Sequence, residues 1–392
     1  MNRGTGANLP GLRGHNAALV LGLLREAGAA GLGRGELALR TGLTPQAVSK
    51  IAARLRADGL IAEAGRGEST GGKPRTLLRL VPEAGYAVGV HLDRDALRVV
   101  RVDLAGRVVA EARSAVDFAA GPEPVVDAVV AGVREVGVHV GDGMAFLSDP
   151  WPAAPGAGAS DEGPAAVDVR VDVRALGRAA WPVLLGVGVA APGPLDRRTG
   201  VLGRVTGHPE WEGFALRDAL AERLGTAVDL DKDTNAGAAA AAAAGRPGPT
   251  AYVHVATGVG AGLVLDGEVY RGRDRRSAAG EFGHQVLLLD GPPCRCGARG
   301  CVEVLCLEAV ARGDLPEAAR VIGEAVANLV ALLDVERVLL GGRVVEADPD
   351  GFVAGVARAV GARGAAEVLT ARAGVAEGAA ELVLAPLFGR AG

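Results

Sequence analysis

The spacing of apolar residues predicts three short helices near the start of the chain. Residues 14–27, GHNAALVLGLLREA, place their apolar positions on one helical face and are followed by Gly28. A second, shorter helix is predicted over Arg34–Arg40. The third is predicted over Pro45–Ala57, because Thr44 is suited to cap a helix that begins with proline. Three helices so close together indicate one small N-terminal domain, called the head below.

The third helix is amphipathic, and its polar face is suited to contact DNA. Residues 60–80 then predict two strands with a glycine-rich tip, which completes a winged helix-turn-helix. Such a helix fits the major groove, while cationic side chains neutralise phosphates. The predicted DNA-binding residues are Thr44, Pro45, Gln46, Ser49, Lys50, Arg54, Lys73 and Arg75. The alternative is a small helical domain that binds another protein.

Charge is distributed unevenly along the chain. Residues 1–80 contain 12 Lys and Arg against 5 Asp and Glu, a net charge of +7, whereas the remainder carries −11. A basic head on an acidic body indicates that the head contacts a polyanion such as DNA. No apolar run reaches the roughly 20 residues of a membrane helix, and no signal-peptide core follows the start. We therefore expect a cytoplasmic protein.

The body has the pattern of an α/β protein. Three short β-rich runs after residue 85 predict an antiparallel meander, and later strands alternate with helices such as Pro124–Val136. Residues 141–166 are rich in Pro, Gly and Ala and predict a flexible insertion. The predicted domains are a winged-helix head at 1–80 and an α/β body at 81–392.

Three of the four cysteines lie within eight residues. Cys294, Cys296 and Cys301 follow His284 in a turn-rich stretch, so one imidazole and three thiolates can meet at one point. Such a Cys3His set is typical of a structural zinc site. Cys306 is an alternative fourth ligand, although its apolar neighbours favour a small buried residue. A set of ordinary free thiols is the other alternative.

Two stretches carry a family resemblance. GEFGH at 280–284 with CRCGARGCVE at 294–303 resembles the zinc-containing signature of the ROK family, which comprises sugar kinases and sugar-responsive transcriptional repressors. TGLTPQAVSKIAARLRADGLI at 41–61 resembles the DNA-binding head of ROK repressors, which ROK kinases lack. The resemblance covers most of 81–345 and implies an actin/hexokinase-like (ribonuclease H-like) domain of two α/β lobes around a cleft. The tail after Gly342 matches poorly.

The resemblance also implies which residues bind a sugar in that cleft. Asp233 matches the catalytic aspartate of the kinases, and His284 combines a zinc ligand with a position that contacts sugar hydroxyls. The expected effector-binding residues are Lys232, Asp233, Asn235, Glu281, His284 and Glu303. Buried polar groups of this kind suit a sugar, which presents many hydrogen-bonding hydroxyls.

Lys232 departs from the family, which has an asparagine that contacts sugar at this position. Its ammonium is expected either to form a salt bridge with Asp231 or Asp233, or to bind the phosphate of a sugar phosphate. The segment expected to bind the nucleotide phosphates also departs from the family pattern. Kinases have D-x-G-G-T as the first phosphate loop, whereas the stretch His91–Asp95 has no glycine and adds carboxylates that would repel phosphates. Residues 257–262, TGVGAG, resemble the second phosphate loop.

We therefore expect a ROK family repressor without enzymatic activity, controlled by a sugar or sugar-phosphate effector. A homodimer, or a dimer of dimers, would bind a pseudo-palindromic operator. One alternative is an ATP-dependent ROK sugar kinase that carries a DNA-binding head, with Asp233 as its catalytic base. Another is a DNA-binding protein whose sugar pocket has decayed.

Overall fold

The computed structural model describes residues 9–66, 75–138, 183–246, 248–273 and 279–390. The predicted insertion at 141–166 and the tip of the predicted wing, with Lys73, lie outside these ranges. Within them, no helix is both long enough and apolar enough to cross a membrane.

The head consists of three helices and a small antiparallel sheet. Its helices are α1 (Leu9–Ala27), α2 (Arg34–Thr41) and α3 (Pro45–Ala57), and its strands are β1 (Leu32–Gly33), β2 (Ile61–Arg66) and β3 (Thr76–Leu80). The strand order is β1-β3-β2. The bounds of α3 match the prediction, and the Thr44 hydroxyl accepts the Ala47 N–H at 3.2 Å, which confirms the predicted cap. Helix α1 begins at Leu9, earlier than predicted.

The body contains two five-stranded sheets with the same plan. The strands of the first part are β4 (Gly85–Leu92), β5 (Ala96–Asp103), β6 (Val108–Ala115), β7 (Val183–Ala191), β8 (Leu195–Asp196), β9 (Val201–Leu202) and β10 (Val228–Lys232). Those of the second part are β11 (Thr250–Val255), β12 (Val259–Leu265), β13 (Glu268–Tyr270), β14 (Arg337–Gly341) and β15 (Glu367–Thr370). The sheet orders are β10-β7-β4-β5-β6 and β13-β12-β11-β14-β15. In each sheet an antiparallel meander continues into two parallel strands, which confirms the predicted two α/β lobes.

The helices of the body are α4 (Pro122–Glu135), α5 (Leu216–Leu224), α6 (Asp233–Ala243), α7 (Val302–Ala311), α8 (Leu315–Leu333), α9 (Arg343–Ala347), α10 (Pro349–Gly361) and α11 (Val375–Leu384). Helix α11 packs on β4 and β7 of the first sheet, whereas α6 packs on β11 and β12 of the second. The two helices also pack against each other. They therefore connect the lobes.

Glycines allow the backbones of these elements to approach closely. A Cβ atom on Gly378 of α11 would lie 1.8 Å from the carbonyl oxygen of Ala236 in α6. A Cβ atom on Gly188 of β7 would lie 1.8 Å from the carbonyl oxygen of Ala379. Because any side chain would overlap backbone atoms, α11 has a tightly defined position against α6 and the first sheet.

Replacing Gly378 with alanine should lower the free energy of unfolding by about 1–3 kcal/mol, because the added methyl group forces two helices apart. Urea unfolding followed by circular dichroism measures this change. Gly35→Ala in α2 is the matched control, since its Cβ would meet no atom within 4 Å. That control should gain up to about 1 kcal/mol of stability, because alanine is the better helix former. Equal effects of the two substitutions would contradict the close packing.

One hydrophobic core joins the head to the body. It contains Leu21, Leu24, Leu37 and Leu55 of the head with Val100, Ala380 and Leu384 of the body. At its edge, Arg25 donates to both carboxylate oxygens of Glu381, with Nη1 3.0 Å from Oε2, and lies over the ring of Phe388. Only 11% of the Arg25 side chain and 8% of the Glu381 side chain are exposed. The head is thus packed onto the body, and the domain boundary near residue 80 stays a prediction.

Candidate functional site

A cleft lies where β4, β10 and β11 end, the usual place for ligands in α/β sheets. It holds about 640 Å³ of space, part of it open to solvent. Five of the six predicted effector residues line it: Lys232, Asp233, Glu281, His284 and Glu303.

Lys232 forms its ion pair with Glu281. Side chains alternate along β10, so Asp231 points away from the cleft, where it accepts from Arg271 Nε at 2.6 Å. Lys232 points into the cleft, with Nζ 2.5 Å from Glu281 Oε1 and 3.4 Å from the carbonyl oxygen of Ala279. The predicted salt bridge to Asp231 or Asp233 is therefore wrong, because the ammonium of Lys232 pairs with Glu281 instead.

Asp233 stands at the first position of α6, where the N-terminus of a helix favours negative charge. Its Oδ1 accepts the N–H of Thr234 at 2.6 Å. Burial raises the pKa of the Asp233 carboxyl above its ordinary value, although His254 and Lys232 act in the opposite direction. A half-buried carboxylate of this kind can accept a hydrogen bond or a proton from a ligand hydroxyl.

Asn235 does not line the cleft, contrary to the expectation from sequence. Its side chain is buried, and Nδ2 donates to Asp231 Oδ1 at 2.9 Å. Two positions along a helix correspond to a rotation of about 200°. Asn235 therefore faces away from the ligand side of α6, where Asp233 lies, and instead holds the strand that carries Lys232.

Glu303 and His284 complete the wall of the cleft on the second lobe. Glu303 lies in the first turn of α7, and its Oε2 accepts the N–H of Val259 at 3.0 Å. The two nitrogens of His284 face different groups: Nε2 lies 3.9 Å from Glu281 Oε2, and Nδ1 lies 3.8 Å from Cys294 Sγ. This arrangement is compatible with the two roles that the sequence predicted for His284.

The three cysteines and His284 meet as the sequence predicted. Their ligand atoms all lie within 4.8 Å of one another, and Cys296 Sγ is 3.7 Å from Cys301 Sγ. Tetrahedral zinc with Zn–S bonds of about 2.3 Å requires sulfurs about 3.8 Å apart. The donor types and their spacing therefore fit a metal ion, and zinc in particular.

Cys306 does not belong to this group. It is fully buried beside Val302 and Ala309 in the core of the second lobe. Burial raises the pKa of its thiol to about 12, so it stays protonated near neutral pH. The interpretation of Cys306 as a small core residue agrees with this position.

Comparison with known proteins identifies the domain. Residues 176–312 match the model of the ROK family. The xylose repressor of Bacillus subtilis is 25% identical to this chain over 280 residues, which are 71% of this chain and 62% of that repressor. Residues 176–312 therefore belong to a ROK family domain. The chain spans about three fifths of the length of the repressor it matches.

Solved structures with a ROK domain share the fold. A ROK family transcriptional regulator, a homolog of the E. coli MLC protein, has a TM-score of 0.68 at 19% identity and covers 96% of this chain and 97% of its own. The ROK hexokinase from Thermus thermophilus has a TM-score of 0.52 at 26% identity and covers 76% of this chain and 97% of its own. The fold is therefore shared with a transcriptional regulator and with a hexokinase.

The turn after β4 is hydrogen-bonded to the second lobe. Asp93 accepts a hydrogen bond from the Thr257 hydroxyl, and Arg94 Nη1 lies 3.4 Å from the Thr257 carbonyl oxygen. Arg343 Nη1 donates to Asp95 Oδ1 at 2.8 Å. Burial would raise the pKa of Asp93, but the Thr257 hydrogen bond holds it below its ordinary value. Side chains thus occupy the turn in which ROK kinases are expected to have glycines.

The sequence analysis missed His254, which lines the cleft, and its contact with His91. His254 is buried at the end of β11, and its Nδ1 lies 3.0 Å from the Tyr252 hydroxyl. The His91 ring packs edge-on against it, with ring centroids 5.5 Å apart. Burial and the neighbouring His254 lower the pKa of His91 to about 3. The signal was the single histidine inside the apolar strand AYVHV.

Most of the predicted DNA-binding residues lie on α3 or at its N-terminus, and Arg75 directly precedes β3. Thr44, Pro45, Gln46, Ser49, Lys50 and Arg75 are exposed. Val48 and Ala52 are buried against the rest of the head. Arg54 is half-buried, and its Nε lies 3.7 Å from Asp58 Oδ2.

Proposed function

We propose that this protein is a transcriptional repressor of the ROK family that binds operator DNA with its head and a sugar-like effector in its cleft. The observation that carries the proposal is the open polar face of α3 on a head that is packed onto a ROK domain. The relative named xylose repressor supports the same function. A domain boundary at residue 80 and a twofold dimer belong to the proposal.

DNA binding is assigned to α3 and the hairpin that follows it. The 13 residues of α3 span about 20 Å, a length suited to the major groove. Gln46 and Ser49 are placed to contact base edges, while Lys50 and Arg75 are placed to contact phosphates. Arg54 has a smaller role in this assignment, because Asp58 already lies beside its guanidinium.

A structural zinc ion is assigned to His284, Cys294, Cys296 and Cys301. The metal would supply a rigid centre for the loop that connects the cleft to α7. With Nδ1 as the ligand atom, Nε2 of His284 stays directed at Glu281 and at a sugar hydroxyl in the cleft. Zinc is therefore proposed to shape the effector site without taking part in chemistry.

Helix α6 offers a physical connection between effector and head. It begins at Asp233 in the cleft and ends at Ala243, whose carbonyl oxygen accepts from Arg390 Nη1 at 2.9 Å. Arg390 Nη2 also lies 3.2 Å from Glu26 Oε1 in α1 of the head. An effector that favours one position of α6 would thereby change the angle or spacing of the heads in a dimer.

Lys50→Gln should weaken binding to all DNA sequences alike, because a phosphate contact carries no sequence information. The slope of log affinity against log salt concentration should become shallower by about one. Fluorescence anisotropy measures both, with an operator selected from random DNA by the purified protein. Arg320→Gln, which removes an exposed charge from α8, should leave the slope unchanged. Failure of the wild-type protein to select any sequence would overturn the proposed function.

The kinase alternative is favoured by Asp233 and opposed by the turn at Asp93–Asp95. Phosphoryl transfer requires loops that surround the nucleotide phosphates closely. Here the side chains of that turn contact Thr257 and Arg343 across the cleft, and two of them are carboxylates. A nucleotide would have to displace these contacts and approach two like charges, so we favour the repressor.

A further inference from the structure

We infer that the cleft selects its effector by charge, and that the pair Lys232–Glu281 excludes sugar phosphates in favour of uncharged sugars and amino sugars. The inference rests on the proposed function and narrows its ligand class. It replaces the hypothesis that the Lys232 ammonium binds a phosphate.

The first observation is the balance of charge in the cleft. Among the residues that the structure describes, four carboxylates line it, those of Asp93, Asp233, Glu281 and Glu303. The lysine and arginine side chains of the same described lining are Lys232 and Arg94. Two cations against four carboxylates leave an excess of negative charge in a partly desolvated space, where charges interact more strongly than in water. A phosphate group would add to that excess.

The second observation is that both cations already have partners. The buried Lys232 ammonium contacts Glu281 Oε1 at 2.5 Å and the Ala279 carbonyl oxygen at 3.4 Å. Arg94 Nη1 contacts the Thr257 carbonyl oxygen. A phosphate would have to compete with the Glu281 carboxylate for the ammonium, and would have to enter the protein as far as Lys232, whose side chain is only 7% exposed.

The third observation is the excess of hydrogen-bond acceptors. Ionised carboxylates accept hydrogen bonds and donate none. A ligand that complements Asp233, Glu281 and Glu303 must therefore donate. Sugar hydroxyls and ammonium groups donate hydrogen bonds, whereas a dianionic phosphate only accepts them. Charge and hydrogen bonding thus favour the same ligand class.

The test compares matched sugars on the full-length, zinc-replete protein. Thermal unfolding screens glucose, mannose and galactose, each with its 2-amino and 6-phosphate derivative, together with xylose. Calorimetry at constant ionic strength then gives dissociation constants for those that bind. In each series that binds, the 6-phosphate should bind at least about tenfold more weakly than the neutral or amino sugar, a difference of about 1.4 kcal/mol. Tighter binding of a 6-phosphate would overturn the inference and leave the proposed function standing.

A gain-of-function variant tests the role of the ion pair. Glu281→Gln removes the partner of Lys232 and one negative charge, so the 6-phosphate should gain at least tenfold in affinity relative to its neutral sugar. Glu308→Gln is the matched control, because Glu308 is exposed on the same helix as Glu303 and does not line the cleft. An unchanged ratio in Glu281→Gln would overturn the role of the pair. A panel without any binding would instead contradict the effector part of the proposed function, and the inference with it.

Discussion

Cys301→Ser should reduce the bound zinc from about one ion per chain to none, measured by mass spectrometry of metals on protein purified with zinc present. It should also lower the unfolding temperature, because the apparent binding free energy of a structural zinc contributes directly to folding, about 10–16 kcal/mol in isolated zinc peptides. The stability lost by this protein should be a fraction of that free energy, because Cys301 and Val302 are also buried. Cys301 directly precedes the first turn of α7, which contains Glu303, so the position of Glu303 should change as well.

Cys306→Ala is the control for this prediction. The substitution removes another buried thiol, which lies in α7 five residues after Cys301. The variant protein should retain zinc and lose only packing contacts. His284→Gln should behave like Cys301→Ser and lose the metal. Retention of zinc by His284→Gln together with loss by Cys306→Ala would assign the fourth ligand to Cys306.

Glu381→Gln should lower the free energy of unfolding by about 3–5 kcal/mol, because it leaves the Arg25 guanidinium buried without a counter-charge. The pair links α1 of the head to α11 of the body, and both side chains are nearly inaccessible to water. Calorimetry should also show the head unfolding before the body, since their shared core loses the ion pair at its edge. Urea unfolding gives the size of the loss.

Two further variants separate the buried pair from ordinary surface charge. Glu63→Gln breaks the ion pair with Arg56, in which the Arg56 side chain is 57% exposed and the Glu63 side chain 49% exposed. It should lower the free energy of unfolding by less than about 1 kcal/mol. The double substitution Arg25→Met with Glu381→Leu should recover most of the stability, because apolar groups of similar size can replace a buried pair. A double variant as unstable as Glu381→Gln would show that the loss comes from packing.

The parts of the fold that depend on residues close together in the sequence could be predicted. The bounds of α3 follow from its apolar spacing and from the cap formed by Thr44. The cluster of three cysteines could be predicted because five glycines and prolines around it restrict a short loop. The tail after Gly342 could not, because nine of the ten residues of α11 are buried, so the sequence of the helix does not separate a buried face from an exposed one. The position of α11 depends on its packing against the first sheet and against α6.

The sequence by itself determined the three helices of the head and the two-lobed body, and it predicted the cluster of His284 with three cysteines and five of the residues that line the cleft. Only the tertiary structure decided that Lys232 pairs with Glu281, that Asn235 faces Asp231, and that Arg25 meets Glu381 from 356 positions away. The physical reason is that a local pattern specifies the conformation of a segment, whereas the partner of a buried charge depends on which distant segments pack beside it.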